Sequence, residues 1–115
     1  MRKSLNKKPA RDSLNDLRRE LAARDEALPS VFSALGDSGR FKLFSLLSKR
    51  SDLCVSDLAA VLGISVPAAS QQLKILELAG LVRREREGQK CSYRVRTNDP
   101  VVSAIVRMSA KGREH

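Results

Sequence analysis

The chain has few of the residues from which enzymes and metal sites are commonly built. Among its 115 residues there are two cysteines, no tryptophan and a single histidine, which is the last residue. It has no glycine-rich phosphate loop and no paired nucleophile and base, so the sequence predicts no enzyme, no metal site and no cofactor. Aromatic residues make up only 3% of the chain, and its core must therefore consist mainly of leucine, valine, isoleucine and alanine.

Long hydrophobic runs are also missing. A transmembrane helix would need about 18 or more consecutive apolar residues, and no such stretch occurs. The basic start of the chain, MRKSLNKKPARDS, lacks the apolar segment of a secretory signal. We therefore expect no membrane partner and a cytoplasmic location.

Positive charge, in contrast, is in excess. Lysine and arginine number 22 against 13 acidic residues, which gives a net charge of +9 and a pI near 10.3. Such an excess favours a polyanionic partner, because each neutralised phosphate releases counterions. Solubility alone is the alternative explanation of the charge, and we favour nucleic acid.

The apolar pattern predicts one folded domain at residues 12–110, between a disordered basic arm at 1–11 and a flexible tail at 111–115. A first helix is predicted to begin after Asp12 or Ser13, and Pro29 interrupts it before a short helical turn at 30–35. Its apolar stripe consists of Leu14, Leu17, Leu21 and Leu28.

Two further helices are predicted on either side of the central part of the chain. The helix at about residues 39–48 is expected to bury Phe41, Leu43, Phe44 and Leu47. The last helix begins at residues 98–100, and its apolar face consists of Val101, Val102, Ile105 and Met108.

The central segment, residues 55–81, has the sequence VSDLAAVLGISVPAASQQLKILELAGL. A helix at 55–62 runs into Gly63, which is expected to end it, and Ser65 is expected to cap a second helix that stops at Gly80. Asp57 is expected to take part in a capping box with Cys54. This pattern predicts a helix-turn-helix whose second helix enters the DNA major groove.

A charged β-hairpin is predicted directly after the helix-turn-helix, with its turn at residues 87–89. The fold class is therefore mainly α with a small β-hairpin: a winged helix-turn-helix of five helices and a two-stranded wing. Six of the hairpin's fourteen residues from 83 to 96 are cationic, and Glu85 and Glu87 are expected to pair with some of them. Of these we select three for DNA contact: Arg86, Lys90 and Arg94.

The second helix of the motif is expected to present short polar and small apolar side chains to DNA, where glutamine can pair with adenine and alanine or valine can touch a thymine methyl group. The outward residues are Ser65, Val66, Ala68, Ser70, Gln71, Gln72 and Lys74. An ordinary solvated helix face is the alternative, and so is a winged helix that binds another protein. An exposed helix would more often carry Glu–Lys pairs, which this face lacks before Glu77.

The sequence resembles the ArsR/SmtB family of bacterial transcriptional repressors. The matching stretches are FSALGDSGRFKLFSLL, DLCVSDLAAVLGISVPAASQQLKILELAGLV and REGQKCSYRV. The resemblance implies a homodimer formed by the helices that carry Leu14 to Leu28 and Val101 to Met108. It also implies a palindromic double-stranded DNA operator, and release from it by an effector. A regulator without a small-molecule effector remains the alternative.

The family's usual metal sites are incomplete in this chain. Where the arsenic- and cadmium-type site has Cys-Val-Cys, this chain has Cys54-Val55-Ser56. At the zinc-type site on the last helix the corresponding residues are Asn98, Pro100, Lys111 and Glu114, a set that cannot bind zinc in the same way.

The two cysteines, Cys54 and Cys91, are the remaining candidates for a redox or persulfide response, which some members of the family show. A helix N-terminus favours a reactive thiolate at Cys54, whereas Cys91 alternates in phase with Tyr93 and Val95 and is expected to pack inward. The alternative is that both are small buried apolar residues.

Overall fold

The structure is a computed structural model that describes residues 11–111, a part of the chain with six helices and one two-stranded sheet. The prediction of a mainly helical fold with a small β-hairpin is confirmed. Apart from Arg11 and residue 111, the predicted arm and tail lie outside the described residues. In order, the elements are α1 (Arg11–Ala22), α2 (Ala27–Leu35), α3 (Ser38–Lys49), α4 (Val55–Leu62), α5 (Val66–Leu78), β1 (Val82–Glu87), β2 (Lys90–Val95) and α6 (Pro100–Lys111).

The N-terminal helices differ from the prediction, because the chain breaks before Pro29 and not at it. Residues 23–26 separate the two helices, so Leu28 belongs to α2 and not to α1. Asp25 supports this break, since its Oδ1 accepts a hydrogen bond from the Ala27 N–H at 3.1 Å. Pro29 lies in the first turn of α2, where a proline removes no helical hydrogen bond. Pro29 is therefore part of a helix and does not mark the break between the two helices.

The core is built mainly from leucine and valine, as the low aromatic content requires. It comprises Val31, Ala34, Leu43, Phe44, Leu47, Leu58, Leu73, Leu76, Leu81, Val82, Tyr93, Val102 and Ile105. Phe41, which was expected to be buried, is 36% exposed. It lies to one side of the buried face of α3, because successive residues of a helix are about 100° apart.

Among the described side chains, none from helix α1 belongs to this core. Its three leucines at helical spacing, Leu14, Leu17 and Leu21, are between 48% and 68% exposed. The helix is amphipathic, but within the described residues its apolar stripe remains largely uncovered. None of the helices between residues 11 and 111 is long and apolar enough to cross a membrane.

The hairpin pairs its strands in an antiparallel register that runs from Val82↔Val95 to Glu87↔Lys90. Gly88 forms the turn with φ +61°, a backbone conformation that favours glycine. Directly paired residues lie on the same side of a sheet. Arg84 and Arg86 therefore share one side with their partners Tyr93 and Cys91. The other side carries Arg83, Glu85, Glu87, Lys90, Ser92 and Arg94.

Candidate nucleic-acid interface

The turn between α4 and α5 is fixed by local hydrogen bonds. Gly63 has φ +70°, and the Ile64 N–H donates to the Ala59 carbonyl at 3.0 Å. Ser65 caps α5, because its hydroxyl accepts from the Ala68 N–H at 3.1 Å. Pro67 occupies the first turn of α5. The predicted roles of Gly63 and Ser65 are confirmed, and together they set the angle between the two helices.

Helix α5 is anchored by its inner face. Ala69, Leu73 and Leu76 are all 0% exposed, and the helix packs against α2, α3, α4 and β1. Of the residues predicted to face outward, five are exposed and Ala68 is partly buried. The exposed five are Ser65, Val66, Ser70, Gln71 and Lys74. An anchored helix with short side chains outside can approach base edges closely.

Gln72 differs from these neighbours, because it lies half-buried on the flank of α5. Its Oε1 accepts a hydrogen bond at 3.1 Å from the guanidinium of Arg40, on α3. The outward position expected for Gln72 is therefore not the one that it occupies. The sequence gives no local sign of this contact, because the two residues are 32 positions apart.

A groove runs between α5 and strand β1. Its lining residues are Pro67, Ser70, Gln71, Lys74, Glu77, Leu78, Arg84 and Tyr93. Arg84 thus lies beside the outward residues of α5, although it is not among the residues predicted to contact DNA. Strand alternation is the sequence pattern that could have indicated this position of Arg84. Arg84 pairs with Tyr93 and lies on the same side of the hairpin, and Tyr93 is expected to point inward. Burial raises the pKa of the Tyr93 phenol.

On the opposite side of the hairpin, the arginines are paired with an acid. Arg94 Nε lies 2.6 Å from Glu85 Oε1, and Arg83 lies 2.9 Å from the other carboxylate oxygen of Glu85. The hydrogen bond from Arg94 is the main cause of a lowered Glu85 pKa. Arg94 thus shares its charge with Glu85, and its contact with DNA stays a prediction.

The other two predicted wing residues, Arg86 and Lys90, are exposed. Neither forms an ion pair with another residue of the described part. Both line a depression whose other residues are Ser51, Asp52, Glu85, Glu87, Ser92 and Arg94. Their surroundings are therefore of mixed charge, whereas the α5 groove has two cations and one acid. DNA contact by Arg86 and Lys90 stays a prediction.

Cys54 lies at the start of α4 and contacts Asp57 in two ways. The Asp57 carboxylate accepts from the Cys54 N–H at 3.1 Å, as expected for the predicted capping box, and from its thiol at 3.1 Å. The thiol bond is the main cause of the lowered pKa of Asp57.

Cys91 packs against the core and is partly buried, in agreement with the predicted strand alternation. Neither cysteine is in a disulfide. Between residues 11 and 111 no three His, Cys, Asp or Glu side chains are grouped so that they could hold a metal ion. The Ser56 hydroxyl lies 3.2 Å from Cys54 Sγ. Glu114 lies outside the described residues.

Comparison with known proteins decides the family. Residues 37–84, which contain α3, α4 and α5, match the family described as "Bacterial regulatory protein, arsR family". A transcriptional repressor SmtB homolog from Synechocystis sp. is 37% identical over 89 residues, which are 76% of this chain and 67% of that protein. The chain belongs to the arsR family of bacterial regulatory proteins.

A further relative and a solved structure are also similar to this arsR-family chain. A cadmium resistance transcriptional regulatory protein CadC homolog from Staphylococcus aureus is 32% identical over 83 residues, which are 71% of this chain and 69% of that protein. A homodimeric winged helix-turn-helix DNA-binding domain from Mycobacterium bovis superposes with a TM-score of 0.60 at 25% identity, over 95% of this chain and 94% of that one.

Reduced HlyU from Vibrio cholerae has the same fold, with a TM-score of 0.68 over 88% of this chain and 99% of that one, at 22% identity. The predicted winged helix-turn-helix is thus confirmed. This arsR-family chain is a DNA-binding regulator of transcription.

Proposed function

We propose that this regulator is a homodimeric repressor that binds a palindromic operator through α5 and the hairpin and leaves it when an effector acts. The observation that carries the proposal is the geometry of α5. Its inner face is completely buried, and its outer face borders a groove with Lys74 and Arg84 at its walls. The role of a repressor, as opposed to an activator, is supported by relatives that are named repressors. One of them is the arsenical resistance operon repressor of Escherichia coli.

The DNA contacts divide into two chemical classes. Gln71 and Ser70 are exposed at the centre of α5 and are suited to hydrogen-bond base edges, and Val66 and Ala68 to touch thymine methyl groups. Phosphate contacts are assigned to Ser65, Lys74, Arg84, Arg86 and Lys90. We do not give Gln72 and Arg94 a direct contact, because each is engaged by another side chain of the protein.

The dimer interface is assigned to the exposed apolar side chains of α1 and α6. Leu17 is 49% and Met108 is 63% exposed, although both lie on apolar stripes. Only part of the α6 face is available, since Val102 and Ile105 already belong to the core of their own chain. A second copy would cover these side chains, and its two-fold axis would relate two recognition helices.

A selection of bound sequences from a random double-stranded DNA pool tests the operator part. We expect an inverted repeat whose half-sites are centred about 10–10.5 base pairs apart, or a multiple of that spacing, because two symmetric helices must enter successive major grooves. No enriched sequence, or one asymmetric half-site bound by a monomer, would overturn the proposal.

Sedimentation equilibrium tests the dimer part. Leu17→Glu should yield a monomer with unchanged circular dichroism, since Leu17 is not part of the core. Asn15→Glu is the matched control, because it adds the same charge away from the stripe of α1. If both variants remain dimeric, α1 is not in the interface.

For the effector we assign Cys54, with Cys91, to a thiol oxidant or persulfide donor rather than to a metal, because a soft metal would need two or three thiolates. Persulfidation adds one sulfur atom to a thiol and shortens the polysulfide by one. Mass spectrometry after polysulfide treatment, followed by an operator-binding assay, tests this assignment with Cys54→Ser as control. Unmodified thiols with unchanged affinity would contradict it. As a bacterial regulator that binds DNA, the protein is assigned to the cytoplasm.

A further inference from the structure

Arg40 connects three helices through one side chain. Its Nε donates to the Ala34 carbonyl at 2.8 Å, near the end of α2, and another guanidinium nitrogen donates to Gln72 Oε1 at 3.1 Å, on α5. Its own backbone N–H donates to the Asp37 carboxylate at 2.9 Å, in the N-cap of α3. The Arg40 side chain is only 18% exposed, which is unusual for an arginine on a protein surface.

The hydrogen bonds of Arg40 to Ala34 and Gln72 restrict the orientation of its guanidinium. Carbonyls in the last turn of a helix lack helical partners, and a cation near them is favourable. A guanidinium is planar, so the hydrogen bond to Ala34 limits where its remaining nitrogens can point. One of them points at the Gln72 amide oxygen, on the flank of the recognition helix.

A fixed point on the flank of a helix limits how the helix can rotate about its axis. The buried residues of α5 make apolar contacts, which depend little on direction. The hydrogen bond between Arg40 and Gln72 depends on the angle between donor and acceptor. Gln71 is the next residue along the helix and faces the groove. A small rotation of α5 would move Gln71 relative to a base edge, and hydrogen bonds to bases tolerate little displacement.

We propose that Arg40 and Gln72 are positioning residues whose contact sets the orientation of α5 and thereby the preference for operator over unrelated DNA. Gln72 acts on DNA through Arg40 and α5 and not by direct contact with a base. The inference rests on the DNA-binding role of α5 and adds two residues to it, one of which lies on a different helix.

The test is a double-mutant cycle measured by fluorescence anisotropy on the selected operator and on a random duplex of the same length. Arg40→Ala and Gln72→Ala should each lower the ratio of the two affinities by about three- to tenfold, and the double variant should lose no more than either one. Arg50→Ala is the matched control, because it removes an arginine whose partner is the exposed Asp52. Its affinity ratio should not change.

Gln72→Glu separates positioning from base contact. A carboxylate still accepts from Arg40, but it has lost the amide donor with which glutamine would pair with adenine. Positioning predicts that Gln72→Glu keeps the affinity ratio that Gln72→Ala loses, even if the added charge weakens binding to both duplexes. Loss of the ratio in Gln72→Glu, to the level of Gln72→Ala, would overturn the proposal.

Sequence selection with each variant gives a second measurement. If the two residues position α5, Arg40→Ala and Gln72→Ala should relax the same several operator positions. If Gln72 contacted a base directly, Gln72→Ala would relax one base pair and Arg40→Ala none, which would also overturn the inference. Where Arg40→Ala does not fold, as thermal unfolding would show, the two Gln72 variants decide. Absence of any operator preference in the unaltered protein would refute the proposed function instead.

Discussion

Replacing Arg84 with glutamine tests whether DNA follows the groove beside α5. Arg84 is exposed, and it lines that groove together with Ser70, Gln71 and Lys74. No acid of the described residues forms an ion pair with it. Arg84→Gln keeps a long polar side chain and removes only the charge, so its effect on DNA binding reports the loss of a phosphate contact.

The size of the effect follows from counterion release. Each phosphate neutralised on B-DNA contributes about 0.9 to the slope of log affinity against log salt concentration. The proposed homodimer would have two copies of Arg84, so the variant should reduce the steepness of the slope by about 1.8. When the salt concentration rises from about 50 to 200 mM, the ratio of the operator affinity of the unaltered protein to that of Arg84→Gln should then fall by roughly twelvefold.

The assay is a salt titration of operator binding by fluorescence anisotropy, with Arg94→Gln as the matched control. Arg94→Gln removes the same charge from the same hairpin, but its guanidinium is bound to Glu85 at 2.6 Å. We expect its slope to stay close to that of the unaltered protein. An unchanged slope for Arg84→Gln, or an equal reduction for both variants, would refute the assignment of the groove as the DNA path.

Three further changes test the parts that support this surface. Gly63→Ala should destabilise the fold by about 1–2 kcal/mol in urea unfolding, because a left-handed backbone disfavours a Cβ even where nothing lies within 4 Å of it; an unchanged midpoint would contradict this. Leu73→Ala, at a side chain with 0% exposure, should cost about 2–5 kcal/mol, and a cost below about 1 kcal/mol would mean that α5 is not anchored as described. Gln71→Ala should reduce discrimination at one operator position by about 1–3 kcal/mol while binding to random DNA stays the same; equal losses on both would exclude a base contact.

Local signals in the sequence were sufficient to predict most of the fold. Gly63 and Ser65 each have a conformational preference that marks the end or start of a helix, and the structure uses both as expected. The hairpin followed from strict alternation in β2. The position of the break before α2 could not be predicted, because a proline is compatible both with a break in a helix and with the first turn of a new one. In the structure, the hydrogen bond from the Ala27 N–H to Asp25 shows that the break lies before α2.

The candidate interface was less predictable, because periodicity shows which way a residue faces and not what it contacts. Gln72 belongs to the flank of α5, and its partner Arg40 is 32 residues away. Arg94 pairs with Glu85 across the hairpin. The sequence predicts that Glu85 and Glu87 pair with some of the hairpin cations, but it does not indicate which ones. Arg84 was overlooked because six cations lie close together in the hairpin, and their number does not indicate which of them faces the groove.

The net charge of +9 therefore overstates the charge that is available to DNA. Arg19, Arg50 and Arg94 each lie within 2.9 Å of an acid, and Arg40 is mostly buried between helices. An arginine that is already paired adds little to counterion release unless its pair opens. Total basic charge points to a polyanionic partner, but the choice of site depends on which guanidinium groups are unpaired beside a helix that can enter a groove. In the part of the chain that the structure describes, Arg84 meets both conditions and Arg94 does not.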